Sequence, residues 1–205
     1  MTAMTAPDAS GRLPAFSVVD IETSGLSTRR HRILQLAVAR VEFEAETGAG
    51  NIVGNVVDEW SSLVKLRWPW QRVGPRRVHG ITRDRLRGAP ATTDVLTEFA
   101  GRTRGTVLVA HNMRFDWTFI ERAARRHGVE LDTNPRLCTL RLSRRLDPDR
   151  AQSHRLADLC ERYDIVNQRP HDAAFDARCT ALVLPHLLRA HAIASADDLV
   201  GFYER

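Results

Sequence analysis

The apolar positions of the first third of the chain come in short runs, not at helical spacing. Val18, Val19 and Ile21 make a β-branched run that predicts a buried strand. After the polar turn STRRHR, the segment ILQLAVARVEF (33–43) predicts a second strand paired with the first. NVVDEWSSLVKL (55–66) alternates enough for a third, with Gly48, Gly50 and Gly54 in the turn before it. RWPWQRVGPRRVHGIT (67–82) reads as a connection rich in proline and arginine. From there the period changes. Val95, Leu96 and Phe99 predict a helix over 92–103, and TVLVAHN (106–112) is a short apolar strand ending in polar residues. RFDWTFIERAARRHG (114–128) predicts a helix closed by Gly128. RLCTLRLSRRL (136–146) starts as a short strand or turns directly into a helix. Residues 153–165 predict a helix with Leu156, Leu159 and Cys160 inward. Residues 171–192 predict a longer helix that Pro185 kinks or ends early. A short helix over 195–205, with Ser195 as N-cap, closes the chain.

Three successive strands followed by alternating helices and strands predict an α/β fold. Its sheet is mixed, antiparallel early and parallel late, with helices over it. There is no internal repeat and no low-complexity linker. The expected organisation is a flexible N-terminal tail (1–13), one catalytic-sized domain (14–192) and the short C-terminal helix (193–205).

Composition narrows the class. At 205 residues one domain can bury about 70% of its unfolded surface. No apolar run nears the roughly 20 residues that span a bilayer, and MTAMTAPDASGRLP has no basic region followed by an apolar stretch. The three cysteines are dispersed, odd in number and without zinc-site spacing, which reads as reduced thiols in a cytoplasmic protein. Net charge is +5 and the pI about 9.8. Lys65 is the only lysine, so the positive charge is nearly all arginine. Two explanations compete: codon bias in a GC-rich genome, or a polyanionic partner that guanidinium groups hold bidentately.

Asp20 and Glu22 change the picture. They end an apolar strand, two residues apart and therefore on one face. Like charges held that close repel, and burying them is costly unless something compensates. An arginine would serve. So would a divalent cation, and further residues favour the cation. Asp116 follows a strand end at a helix start, Asp176 lies within a helix, and His171 precedes it by five residues. Strand ends and helix starts are where open α/β sheets place their sites. Mg²⁺ takes oxygen ligands and combines a few carboxylates with substrate phosphate. Two such ions about 3.5–4 Å apart clamp the attacking and leaving oxygens of a phosphodiester. An imidazole can take the proton of the attacking water.

The ordered set Asp20-x-Glu22, Asp116, His171-x4-Asp176 resembles the DEDDh, or DnaQ-like, 3′–5′ exonucleases. That group includes the proofreading epsilon subunit of bacterial DNA polymerase III. The surroundings match as well: VVDIETSGL, HGIT at 79–82, VLVAHNMRFD, HRLADLC and HDAAFDAR, over about residues 15–190. The resemblance implies an RNase H-like fold, a five-stranded mixed β-sheet flanked by α-helices. It implies two Mg²⁺ or Mn²⁺ ions. Asp20, Glu22 and Asp176 would hold the ion beside the water, Asp20 would bridge to the second ion, Asp116 would hold that second ion, and His171 would be the general base. Thr23, Gly25 and Leu26 would meet the terminal nucleotide, the last as an apolar wedge, with His79, Asn112 and Phe115 as further contacts.

Other residues carry competing readings. Asp172 is on the same helix face as Asp176, but suits an N-cap. His111 reads as structural. His79 either caps the turn before Thr82 or meets substrate, and Phe115 is either core or a base contact. His154 and Asp158 read as helix-start and surface residues. Trp68 and Trp70, interleaved with arginines, either stack on unpaired bases or pack at the core edge. Three departures from the family pattern stand out, one of them RWPWQR itself, in place of a more usual proline-rich, weakly charged loop. Cys138 replaces an Asp common in relatives, away from the expected ligands. Nothing resembles the epsilon subunit's C-terminal docking tail, so a free-standing exonuclease is favoured over a polymerase III subunit.

The expected function is therefore metal-dependent release of nucleoside 5′-monophosphates from single-stranded or frayed DNA 3′ ends, as in DNA repair or proofreading. The alternatives are an RNA 3′-end exoribonuclease of the ribonuclease T or oligoribonuclease type, and a non-catalytic nucleic-acid-binding module. A carboxylate-pair glycosidase leaves two acids, the histidine and the basic balance unexplained.

Overall fold

The computed structural model describes residues 12–45 and 52–204. Most of the expected N-terminal tail, with Gly48 and Gly50, lies outside the described residues. Five strands form one sheet in the order β3-β2-β1-β4-β5. They are β1 (Phe16–Thr23), β2 (Ile33–Ala45), β3 (Ile52–Leu63), β4 (Val107–Ala110) and β5 (Arg136–Cys138). The first three pair antiparallel, while β4 runs parallel to β1 and β5 parallel to β4. The sheet is thus mixed as expected.

Alternation along β1 builds both layers. Phe16 and Val18 point to a core shared with α7 (Ala173–Ala190), α5 (Thr139–Arg145), α6 (Leu156–Arg162) and the final helix α8 (Ala196–Leu199). Val19 and Ile21 point to the opposite core, under α3 (Thr92–Arg102) and α4 (Met113–His127). Asp20 and Glu22 continue the α7 face by the same period of two. They lie at the C-terminal end of this central strand, so the same pattern that buries Val18 brings two acids to one end of the sheet.

The structure revises several expectations. β3 starts earlier than expected, and Gly54 is within it, not in a turn. A Cβ there would come within 2.6 Å of Pro185 Cγ, so the missing side chain makes room for the proline. Pro185 is buried inside α7, which neither ends early nor stops before Ala190. The 67–82 connection contains one helical turn, α1 (Arg76–His79). Arg83–Arg87 forms a further short helix, α2, capped by the Thr82 side chain, which accepts from the Arg85 N–H. His154 is buried, not a surface residue: its Nδ1 lies 2.8 Å from Ser143 Oγ and its Nε2 3.2 Å from Asp147 Oδ2. The Ser195 cap forms as expected, as a full capping box with Asp198. The segment after α7 packs on the core through Ile193, Leu199, Phe202 and Tyr203.

Candidate active site

Three element ends meet at one place: the end of β1, the start of α4 and the start of α7. Asp20 and Glu22 come from the strand. Asp116 is in the first turn of α4, and is 4% exposed. It is buried because of its register: Met113, Asp116, Phe119, Ile120 and Ala124 form the inward face of that helix. Asp176 is in the first turn of α7, whose N-cap is Asp172. Both helices direct their N-termini, the positive ends of their dipoles, toward these acids.

Proximity is visible in the electrostatics. The Asp20 carboxyl is pushed well above the usual range, first by burial and then by Asp116, Asp176, Glu22 and Asp172. Glu22 is pushed up to about 8 by burial, Asp176 and Asp172. Burial also raises Asp116, opposed by its own and the Ile21 backbone N–H groups nearby, and Glu22 adds to the rise. Asp176 is raised by burial despite two donors: Asn167 Nδ2 at 2.6 Å to Oδ1 and the His171 N–H at 3.0 Å to Oδ2. Among the described residues, none of Asp20, Glu22, Asp116 and Asp176 pairs with an arginine or lysine. A cluster of acids that lacks any protein cation fits a hard divalent ion with oxygen ligands. Ligand atoms of Glu22, His171 and Asp176 already lie within 4.8 Å of one another.

His171 precedes α7 in a left-handed conformation, φ +64, uncommon for a residue with a side chain. Its exposed ring shares the mouth of the cluster. Most of the remaining sequence-predicted residues lie at the end of β1 and just after it, or at the start of α4. Thr23 is buried and donates from Oγ1 to the Gly25 carbonyl at 2.9 Å. Gly25 has φ +149, and a Cβ on it would sit 2.7 Å from the His31 ring. Leu26, next along, is 84% exposed, an apolar side chain held out into solvent. Asn112 is exposed at the left-handed start of α4. Phe115 is half-buried against Phe119, with ring centroids 5.1 Å apart.

His79 is buried; its Nδ1 accepts the Ile81 N–H at 3.0 Å, while Nε2 has no hydrogen-bond partner. With Nδ1 accepting, the neutral ring carries its proton on Nε2. Burial lowers its pKa; the Val73 carbonyl, near but outside hydrogen-bonding geometry, opposes this, and nearby His171 adds to it. His111 bonds Thr139 Oγ1 through Nδ1, and burial lowers its pKa to about 4.

The structure adds residues that carried no spacing signal. Asn167 lies in a loop, nine residues before Asp176. Gln35 faces Glu22 across the β1–β2 pair and donates to Asp172 Oδ1 at 2.9 Å. Its one signal was a polar side chain inside the apolar run ILQLAV. Asp172 is the N-cap, accepting from the Ala174 N–H at 3.1 Å, and also repels Asp20, Glu22 and Asp176.

Comparison with known proteins identifies the family. The family model described as Exonuclease (RNase_T) matches residues 17–184. A DNA polymerase III of PolC type from Halalkalibacterium halodurans is 33% identical over 174 residues, 85% of this chain. The chain spans only 11% of that polymerase. Among solved structures, Exonuclease X in complex with 5′-overhanging duplex DNA is 25% identical, with TM-score 0.59, covering 89% of this chain and 98% of that one. The nuclease domain of 3′hExo, a DEDDh family member bound to rAMP, is 14% identical, with TM-score 0.71, covering 91% and 96%. The second likeness is one of fold, and it identifies the sheet as RNase H-like.

Proposed function

We propose for this chain, which belongs to the DEDDh, DnaQ-like 3′–5′ exonuclease family, hydrolysis of the terminal phosphodiester of a single-stranded or frayed DNA 3′ end. The observation that carries the reading is the convergence of Asp20, Glu22, Asp116 and Asp176 with His171 and with no arginine or lysine pairing the acids.

Asp20, Glu22 and Asp176 would hold one Mg²⁺ or Mn²⁺ ion, and Asp20 with Asp116 a second. Bound there, the pair would neutralise charge on the attacking and leaving oxygens of the phosphodiester. His171 takes the proton of the attacking water on an imidazole nitrogen, supported by its place within 4.8 Å of Glu22 and Asp176 ligand atoms. The water oxygen bonds to phosphorus, the 3′ oxygen of the preceding nucleotide leaves, and the product is a nucleoside 5′-monophosphate. Asn167 and the His171 N–H hold the Asp176 carboxylate in one orientation. Leu26, 84% exposed, wedges against the terminal base. His79, whose titration feels nearby His171, and Thr23, Gly25, Asn112 and Phe115 would complete the seat of the terminal nucleotide.

DNA is the favoured substrate because the relative from Halalkalibacterium halodurans, one of several such, is a DNA polymerase III. The test is digestion of matched DNA and RNA oligomers labelled at the 5′ end, with Mg²⁺, Mn²⁺ or EDTA. A ladder shortening from the 3′ end, faster on DNA and stopped by EDTA, is expected. A clear preference for RNA would overturn the choice of substrate, and no release with either metal would overturn the activity.

A further inference from the structure

A second charged feature, on the helix that carries Asp116, has the opposite sign. A cleft of about 170 Å³ opens between the β1–β2 loop, the segment after β3 and the exposed side of α4. Arg32, Lys65, Arg67, Arg122 and Arg126 line it, with Trp68 among them. Among the described residues none of these five cations pairs with a carboxylate, although arginines elsewhere do. The Arg32 guanidinium donates only to the neutral carbonyls of Arg29 and His31. The Nε of Arg122 is buried without a partner. Burial lowers the Arg32 pKa, and Arg126 and Arg122 lower it further. Mutually repelling guanidinium groups that lack a protein anion call for an external one.

The cleft's shape says which anion. It is smaller than the roughly 300–1,000 Å³ typical of small-molecule sites, so a whole nucleotide fits poorly, whereas a phosphate group fits. Beside it, Trp68 and Trp70 stack on each other, 5.1 Å apart at 7°, with Arg67 over Trp68 at 4.8 Å. Trp70 is 74% exposed. A flat aromatic face next to a row of cations suits an unpaired base and its phosphates. The position follows from α4, which carries Asp116 at its start. Arg122 is six residues further on and Arg126 ten, about 9 and about 15 Å along the axis.

We propose that this cleft holds the phosphate backbone of the substrate strand a few nucleotides upstream of its 3′ end, with a base stacked on the Trp68–Trp70 pair. The proposal rests on the exonuclease reading of the carboxylate site. It adds a separate anchor, which sets affinity for strands long enough to reach it.

The test reads binding without catalysis. Fluorescein-labelled oligothymidylates, from trimer to dodecamer, are titrated in EDTA by fluorescence anisotropy at stepped salt. The wild type is expected to gain affinity with length. Replacing Arg32 and Arg126 together by Gln should weaken dodecamer binding at least about tenfold and flatten the salt slope by about 0.7 for each phosphate left without its cation. Trp68→Ala with Trp70→Ala should weaken binding with the salt slope retained. Arg126→Gln alone, on an exposed helix position, guards against misfolding, as does a thermal melt of each variant. Wild-type affinity and slope in the folded arginine variants would overturn the proposal. So would a wild type indifferent to length, or one from which thymidine monophosphate at matched ionic strength displaces the dodecamer completely. Failure of the wild type to release nucleotides with Mg²⁺ would instead overturn the exonuclease reading, since this binding assay does not depend on turnover.

Discussion

Asn167 donates from Nδ2 to Asp176 Oδ1 at 2.6 Å, while the backbone N–H of His171 takes the other carboxylate oxygen at 3.0 Å. The acid on α7 is thus aimed by residues on the loop before it. Partners that orient a metal-binding carboxylate typically contribute 10–100-fold to metal affinity. Asn167→Ala is expected to weaken Mn²⁺ binding by about that factor, measured by calorimetric titration, with the melting temperature little changed. An unaltered Mn²⁺ affinity would remove Asn167 from the site.

Neutralising one acid separates catalysis from stability. Asp20→Asn or Asp176→Asn is expected to reduce turnover at least about a thousandfold, a barrier increase of about 4 kcal/mol. In the same variants the metal-free protein should melt at or above the wild-type temperature, because each removes a charge that repels the other acids. Near-normal digestion of the labelled oligomers by either variant would defeat the ligand assignment.

The acids also set a pH dependence. Glu22 ionises near 4.5 when unperturbed and at about 8 in the fold. Below the lower value it is protonated folded and unfolded alike and costs nothing. Between the two, the folded state retains a proton that the unfolded chain releases. Stability of the metal-free protein therefore falls as pH rises from about 4.5 to about 8 and levels off above. Asp20, Asp116 and Asp176 are shifted in the same direction and reinforce it. Melting curves in EDTA should show this fall, and saturating Mg²⁺ should flatten it, since the cation favours the ionised acids. A flat profile in EDTA would show that neither burial nor neighbouring charge raises these acids.

Gly25 tests the loop that carries the wedge. Its φ of +149 disfavours any side chain, and a Cβ would sit 2.7 Å from the His31 ring, whose Nδ1 accepts the Ser27 N–H. Gly25→Ala is expected to cost about 1–3 kcal/mol in urea unfolding and to raise KM for oligonucleotides more than it lowers kcat. Wild-type values for both would mean that the loop adjusts freely.

Much of this was legible without coordinates, for a local reason. Strand runs, helix stripes and caps depend on residues a few positions apart, and so β1, β2, α4 and the Ser195 cap follow from spacing alone. Most of the misreadings fall where a distant partner decides. Pro185 persists inside α7 because Gly54, on β3, leaves space for its ring. His154 is buried because Ser143 and Asp147, on and after α5, receive it. Residues 83–87 carry a single apolar side chain, Leu86, too little for a helical period, and the Thr82 cap completes that turn.

By itself, the order of acids along the chain pointed to the family and to the candidate site residues, since the alternation on β1 forces Asp20 and Glu22 onto one face. Tertiary structure alone decided what surrounds them. Asn167 and Gln35 reach Asp176 and Asp172 across loops and strands that no spacing relates. The cleft of Arg32, Lys65, Arg67, Arg122 and Arg126 draws on three segments far apart in sequence. Hydrophobic periodicity records which face of an element is buried, but it carries no account of which charges meet once those faces have packed.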